Sequence, residues 1–526
     1  VPLPFHCLLV GQRPSDLVEI ADTARALAGK GHRVTLLYLY ASPEADAHRS
    51  AFDVLARLAG GAAAGITALS VDVLNVHAGV FERPRPLLEL IDESPAPAIA
   101  GLADTVVAPG LLAKVGRRVR DPKGTLTVLA EVGPAMFDLA TRAPVRWWGS
   151  LFTTARRMQD ARLIYRRFHA LFSRLIAEMH VDAVVIPEDI VGPVWPVLVS
   201  ASHGAAIPAL VCPYTLANQS EAIQSLKNEP AFQTSANAIA AHLHPSWRFR
   251  DADIDIVRLP AEHILAHAEL GISPPDPWMM NSGFSDKVLV DSQASFEYFR
   301  AGGIPPEQMS IAGSVSLDRM AALRAGRARE MDALRTELGL SGSKPMLLIS
   351  GCPDQLSAKV PYCEFGTMQE LARSVGEALS PLAAAYHLVV RPHPNFERFG
   401  EMLEPFGIVT AGKSTASLVP LADVFIAFAS ATIRWAIACG IPTVNYDVFN
   451  YGYADFSAAT GVAAVNDSDG FRAVVQTLVP GSAALSALRE LAQHDSGHWG
   501  VMDGKGLDRI EREIESARQQ WSRNRG

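Results

Sequence analysis

The sequence predicts an α/β fold of two parallel-sheet domains, and three observations carry the prediction. The chain has 526 residues, 49% hydrophobic and 19% charged, a composition that supports large buried cores and argues against disorder. Short apolar runs alternate with helix-period segments from the first residues onward, as strands covered by helices on both faces require. A charged, alanine-rich stretch from Asp318 to Leu340 reads as a solvent-facing helix and loop that interrupts this rhythm once. The interruption divides the chain into a first domain over 1–320, a second over 341–505 and a terminal helix over 506–526.

Phe5 to Val10 is an apolar run ended by Gly11 and reads as the first buried strand. The next segment repeats apolar residues at Leu17, Ile20, Ala21, Ala24 and Leu27, stops at Gly31-His32, and gives way to the strand RVTLLYLY. Strand, helix, glycine stop and strand make a βαβ unit and open a parallel sheet. Ile66 to Val73 and Leu126 to Leu129 are further strands. Residues 85–170 are less regular, contain Trp147 and Trp148, and read as a helical elaboration of the first domain. VDAVVIP is a strand ending on acids, a helix follows through Pro196 to His203, and ALVCPYT, KVLVDS and MSIAG continue the series. In the second domain PMLLISG, HLVVRPHPN, FGIVTA, ADVFIAF and IPTVNYD are strands. Helices run from Met368 to Ala385, from near Ser430 to Cys439, and, amphipathic and charged, from Leu507 to Gln520.

The net charge is -8 and no Lys/Arg block dominates, which excludes a nucleic-acid surface. Arg156, Arg157, Arg162, Arg166 and Arg167 recur through one helix, either as an exposed face or as a contact with an anionic lipid surface or phosphate-bearing acceptor. Five sparse cysteines fit no zinc pattern and read as reduced core thiols of a cytoplasmic protein. His242 and His244 with Asp251 or Asp253 make no complete ligand set, so no metal site is expected. Val424 to Cys439 is apolar but too short to span a membrane and contains Arg434. The opening VPLPFHCLLVG lacks the pattern of a signal peptide.

Chemistry-bearing residues cluster at strand exits. In ADVFIAFASATIRWAIACGIP a strand ends at Phe428 and Ser430 and Thr432 open a helix, which is either an anion site of free N–H groups and hydroxyls or a plain N-cap. Arg391 and His393 follow the strand HLVV, where arginine can grip phosphate bidentately and histidine can donate or act as acid or base. These exits meet if strands 387–390 and 424–428 are neighbours at one sheet edge. Gly351, after LLIS, suits close backbone approach to a ligand, as does Gly11-Gln12-Arg13, although neither stretch is a complete phosphate-loop motif and a plain strand-to-helix turn is the alternative for each. Glu188 and Asp189 follow VDAVVIP; one of them facing a site could serve as general base, and helix capping is the alternative. Asn445 and Asp447 could bond sugar hydroxyls or shape the turn DVFNYG.

Together the stretches GQRPSDLVEIADTARALAGKGHRVTLLYLY, DSQASFEYFRAGGIPPEQMSIAGSVSLDRM, HLVVRPHPN and LVPLADVFIAFASATIRWAIACGIPTVNYD resemble the GT-B superfamily, in which two Rossmann-like domains face each other across a nucleotide-sugar cleft. The resemblance is to bacterial surface and capsular polysaccharide glycosyltransferases and, more distantly, to UDP-N-acetylglucosamine 2-epimerases and glycerophosphotransferases. It implies transfer of a sugar from a nucleotide-activated donor, as substrate and without a cofactor, to a glycan, lipid-linked or protein acceptor. It further implies metal-independent chemistry. The expected location is the cytoplasm, or the inner face of the membrane by peripheral membrane contact if the Arg-rich region 85–170 forms a membrane-facing surface rather than an acceptor site. By this resemblance His393 and Arg391 lie by the donor phosphates, Ser430 and Thr432 cap them, Asp447 or Asn445 meets the donor sugar or base, and Glu188 or Asp189 faces the acceptor. The 2-epimerases carry G-x-x-x-E-E where this chain has Ala429 to Arg434 without glutamate, which favours transfer over epimerisation. A sugar-nucleotide epimerase, a polyol-phosphate transferase and a non-catalytic binding protein of the same fold are the alternatives.

Overall fold

The computed structural model describes residues 4–40, 65–79, 84–86 and 146–524, apart from 213–222, 224–225, 228, 233, 252–253, 280, 282–283, 355, 357–362, 394–395, 451 and 453–455. The expected strand at Leu126–Leu129, the side chains of Trp147 and Trp148, and most of the 85–170 elaboration lie outside the described residues.

Among the described residues the first sheet has eight strands. They are β1 (His6–Gly11), β2 (Arg33–Tyr40), β3 (Ile66–Asp72), β4 (Arg85–Pro86), β5 (Ala183–Ile186), β6 (Ala209–Val211), β9 (Lys287–Val290) and β10 (Met309–Ile311), while β7 (Arg248–Asp251) and β8 (Ile254–Val257) form a separate hairpin. The order is β10-β9-β6-β5-β1-β2-β3-β4, parallel throughout except for the short edge strand β4. The reason is legible in β1, whose side chains alternate between faces: Leu8 and Val10 join one apolar cluster and Cys7 and Leu9 another. Helices therefore cover both faces, as a parallel sheet requires.

The second sheet has six strands: β11 (Met346–Ser350), β12 (His387–Arg391), β13 (Val409–Thr410), β14 (Val424–Ala427), β15 (Thr443–Tyr446) and β16 (Val462–Val465). All are parallel in the order β13-β12-β11-β14-β15-β16. In each sheet the chain starts in the middle, builds outward on one side, then crosses to the other. The order reverses between β1 and β5 in the first sheet and between β11 and β14 in the second, and such switch points open a crevice at the carboxyl ends of the strands. Two Rossmann-like domains thus face each other across a cleft, the GT-B arrangement.

Three expectations are corrected. Strands β12 and β14 are not neighbours, because β11 lies between them. The 318–340 stretch is two helices, Val315–Ala325 and Arg327–Leu338, and they bury Met320, Met331 and Leu334 rather than facing solvent alone. Arg319 there reaches both Asp22 of the first domain (3.0 Å) and Ser417 of the second (2.7 Å). The arginines of the helix Arg146–Met179 do not share one exposed face: Arg156, Arg157 and Arg166 are exposed, but Arg162 is buried on Glu269 and Arg167 donates to His77 O.

The chain crosses between the domains twice. After the helix Ala483–Trp499 it returns to the first domain, where the helix Gly506–Asn524 closes the amino edge of the first sheet. Asp318 accepts the N–H groups of Gly506 and Leu507 at 3.0 Å, and Ile510 and Ile514 pack with Phe5 and Leu27. His32 and Lys30 meet Glu511 at 2.8 and 2.5 Å. All five cysteines are free, and among the described residues no helix is long and apolar enough to cross a membrane.

Candidate functional site

The second sheet assembles its part of the site by register. Ser350 at the end of β11 pairs with Arg391 of β12 on one side and Ala427 of β14 on the other, and Ala427 pairs with Asn445 of β15. Four strand exits therefore form one row at the carboxyl edge, across the switch point. Gly351 follows in the row and gives its N–H to Arg391 O at 2.9 Å. It packs so closely that a Cβ there would lie 3.0 Å from Pro392 Cα and 3.1 Å from His393 N. The absence of a side chain is what lets the β12 exit fold back over β11. His393 is half-buried, and burial together with neighbouring Arg391 lowers its pKa, so the ring is neutral near pH 7. Arg391 donates to Pro392 O at 2.9 Å, and burial lowers its pKa as well.

The β14 exit carries the remaining pieces. Ala429 adopts φ +46°, a conformation unusual for a residue with a side chain. Asn445 Oδ1 accepts the Ala429 N–H at 3.0 Å and holds it there. This strained turn presents Ser430 and Thr432, whose hydroxyls lie 2.9 Å apart. The helix expected from Ser430 begins later, at Ile433, and ends at Ala438. Ser430 and Thr432 therefore lie half-buried in the turn before it, where Ser430 Oγ accepts the Thr432 N–H at 3.3 Å as a capping serine does. Asn445 is buried and serves that turn. Asp447 Oδ2 accepts Gly452 N–H at 2.7 Å, the bond expected of a residue shaping the DVFNYG turn.

The first sheet contributes the turns after β1 and β5. Asp16 Oδ2 accepts the N–H groups of Gln12 and Arg13, both at 2.8 Å, so the amides of the β1 turn are already bonded to a carboxylate. The exit amides of Gly351 and Ala429 in the second sheet are likewise bonded within the protein. Across the switch point Arg13 Nη2 donates to Glu188 Oε1 at 2.6 Å, and Trp195 Nε1 donates to the same oxygen at 3.1 Å. Burial raises the Glu188 carboxyl above the ordinary range, with Arg13 pulling against it. Asp189 points inward and is fully buried: it takes Ser285 N–H at 2.7 Å, its own N–H donates to Asn281 Oδ1 at 2.8 Å, and burial pushes its pKa up to about 6. Of the two acids, Glu188 is the one with an arginine and a crevice beside it.

One contact joins the two edges. Asp291, directly after β9, accepts Arg434 Nη1 at 2.9 Å, and the two side chains are only 5% and 6% exposed. Asp291 Oδ1 also accepts the Ser292 and Ser295 hydroxyls, at 3.1 and 2.6 Å. The sequence signal was Arg434 itself, a charge inside an otherwise apolar run; its partner was not foreseeable without the fold. Among the described residues no group of three or more His, Cys, Asp or Glu side chains could hold a metal ion.

No protein-family model matches the chain. No curated protein matches it either. Among solved structures it is similar, over 98% of its length and 96% of theirs, to a protein assigned as a UDP-N-acetylglucosamine 2-epimerase from Listeria monocytogenes, with a TM-score of 0.50 and 11% identity. The UDP-N-acetylglucosamine 2-epimerase of Neisseria meningitidis, bound to UDP-N-acetylglucosamine, covers 97% of the chain and 99% of its own length at TM-score 0.49 and 11% identity. The calicheamicin glycosyltransferase covers 98% of both chains at TM-score 0.48 and 14% identity. At such identities the likeness is one of fold.

Proposed function

We propose that the protein is a glycosyltransferase that moves a sugar from a nucleotide-activated donor to a glycan or related acceptor. The observation that carries this reading is the row Arg391, Ser350, Ala427 and Asn445, which sets the Arg391–His393 turn, Gly351 and the Ser430–Thr432 hydroxyls at one crevice. A guanidinium, an imidazole and two hydroxyls suit the diphosphate of a donor. Glu188 takes the acceptor side. As the new bond forms between acceptor oxygen and anomeric carbon, the hydroxyl proton passes to the Glu188 carboxylate. The bond from anomeric carbon to phosphate oxygen breaks, and the departing nucleotide keeps the electron pair. Its negative charge is met by Arg391 and by the His393 turn, fixed in place before the reaction begins. Raised basicity at Glu188 brings it nearer the working pH of a general base.

Epimerisation is the second reading, and the absence of glutamate from Ala429 to Arg434 weighs against it. The test is a thermal-shift series with UDP-, CMP-, GDP- and CDP-linked sugars, since a ligand that binds only the folded chain raises its melting temperature, followed by product analysis. Glu188→Ala and His393→Ala are each expected to lower transfer by about a hundredfold or more with the fold intact. Normal turnover in both variants would remove the proposed site, and an epimerised free nucleotide sugar as sole product would replace transfer by the second reading.

A further inference from the structure

Between β6 and β9 the chain leaves the first sheet, and the excursion carries the β7–β8 hairpin and the helix Ala261–Glu269. It also carries Arg258, whose guanidinium has no hydrogen-bond acceptor among the described residues. Arg258 directly follows β8, and its backbone is firmly held, with N–H donating to Trp247 O at 2.9 Å. Its guanidinium makes no hydrogen bond and no ion pair among the described residues, and Nε is buried without a partner. The charge that acts on it is Glu188, which is already bonded to Arg13 and Trp195. Asp16 is likewise satisfied by two backbone amides, and Asp189 is sealed in the core. Among the described residues Glu188 and Asp16 each have donors of their own, and the Arg258 guanidinium has no acceptor. A half-buried guanidinium with no acceptor of its own is an unfavourable arrangement, and an arriving anion relieves it. The planar fork of arginine donors matches the oxygen edge of a phosphate or a carboxylate.

We infer that Arg258 anchors an oxyanion subsite beside Glu188, and that the acceptor carries a phosphate or carboxylate group bound there. Calling the ligand an acceptor rests on the transferase reading; the subsite itself rests on Arg258 alone. The anion holds the acceptor, and a hydroxyl elsewhere on the same molecule is presented to Glu188.

Isothermal titration of the full chain tests this, with inorganic phosphate, glucuronate and UDP as probes, on wild type and on Arg258→Met, Arg258→Lys and Arg391→Met. The two anions distinguish a phosphate-bearing from a uronate acceptor. At least one of them is expected to bind wild type and to lose about tenfold or more in affinity in Arg258→Met, the equivalent of one charge-assisted hydrogen bond. UDP affinity in that variant is expected to stay within about twofold, because the sites are separate, whereas Arg391→Met reverses the pattern. Arg258→Lys keeps the charge and the fold, loses the fork, and is expected to fall between wild type and Arg258→Met; it decides the matter if the methionine variant does not fold. Equal anion affinity in wild type and both Arg258 variants overturns the inference, as does failure of both anions to bind wild type. If UDP and nucleotide sugars bind nothing while the Arg258-dependent anion persists, the transferase reading falls and the subsite stands.

Discussion

The buried pair Asp291–Arg434 makes a prediction in which the two halves of one ion pair are unequal. Removing one partner of a buried pair costs about 3–5 kcal/mol, because the other is left charged and out of water. The two partners here are not left in the same state. Asp291 without Arg434 still accepts the hydroxyls of Ser292 and Ser295. Arg434 without Asp291 keeps a guanidinium whose Nε already lacks a partner, and arginine does not lose its proton. Arg434→Met is therefore expected near about 3 kcal/mol and Asp291→Ala near about 5 kcal/mol. The double variant Asp291→Leu with Arg434→Met removes both charges and is expected close to wild type, within about 1 kcal/mol. Urea unfolding followed by fluorescence and circular dichroism together measures all four proteins. Equal losses in the two single variants, or a double variant as unstable as the worse single, would refute the reasoning.

Two further predictions follow from burial and packing. His267 lies among Tyr165, Trp247 and Phe284, can donate from Nδ1 to Ile272 O at 3.1 Å, and has its pKa lowered by burial from 6.5 to about 4. The unfolded chain takes up this proton first as pH falls, so the contribution is complete above about pH 6.5 and is lost towards pH 4, by about 3 kcal/mol in all; His267→Phe should flatten the slope of urea stability between pH 7 and 4.5, and an unchanged slope would remove the assignment. Gly351→Ala forces a Cβ against Pro392 and His393 backbone atoms, which cannot swing aside, so a loss of about 1–3 kcal/mol is expected with weakened UDP binding; full stability and affinity in that variant would show that the β12 exit does not depend on this contact.

How much of this was written in the sequence varies with the range of the interaction. The strands were legible because burial on two faces demands near-continuous apolar residues, as in Cys7 to Val10 or Leu347 to Ile349. The strand exits Ser350-Gly351, Arg391-Pro392-His393 and Ser430 to Thr432 were legible because glycine, proline and small polar residues mark where a strand must stop. Their order across the sheet was not, since nothing local to β12 or β14 says that β11 inserts between them. The start of the helix after β14 is not where Ser430 suggests, because Asn445, fifteen residues further on, holds Ala429 in a left-handed turn and delays the helix to Ile433. Glu188 and Asp189 could not be told apart by spacing alone; burial separates them, and it depends on Ser285 and Asn281 from a distant loop. Arg258 gave no local signal at all, because what distinguishes it is the absence of a partner in three dimensions.

The return of the chain from the second domain to the first sets an order of events in folding. The apolar cluster beneath β1 and β2, with Phe5, Leu9 and Leu36, is completed by Ile510, Ile514 and Ala517. During synthesis β1 and β2 thus wait for the helix Gly506–Asn524, and the whole of the second sheet must be made in between. Contacts of such sequence separation are slow to close, and until then the amino edge of the first sheet stays open to water. The nascent protein is consequently most prone to misassociation in the interval when its second domain can already fold and its first cannot yet be sealed.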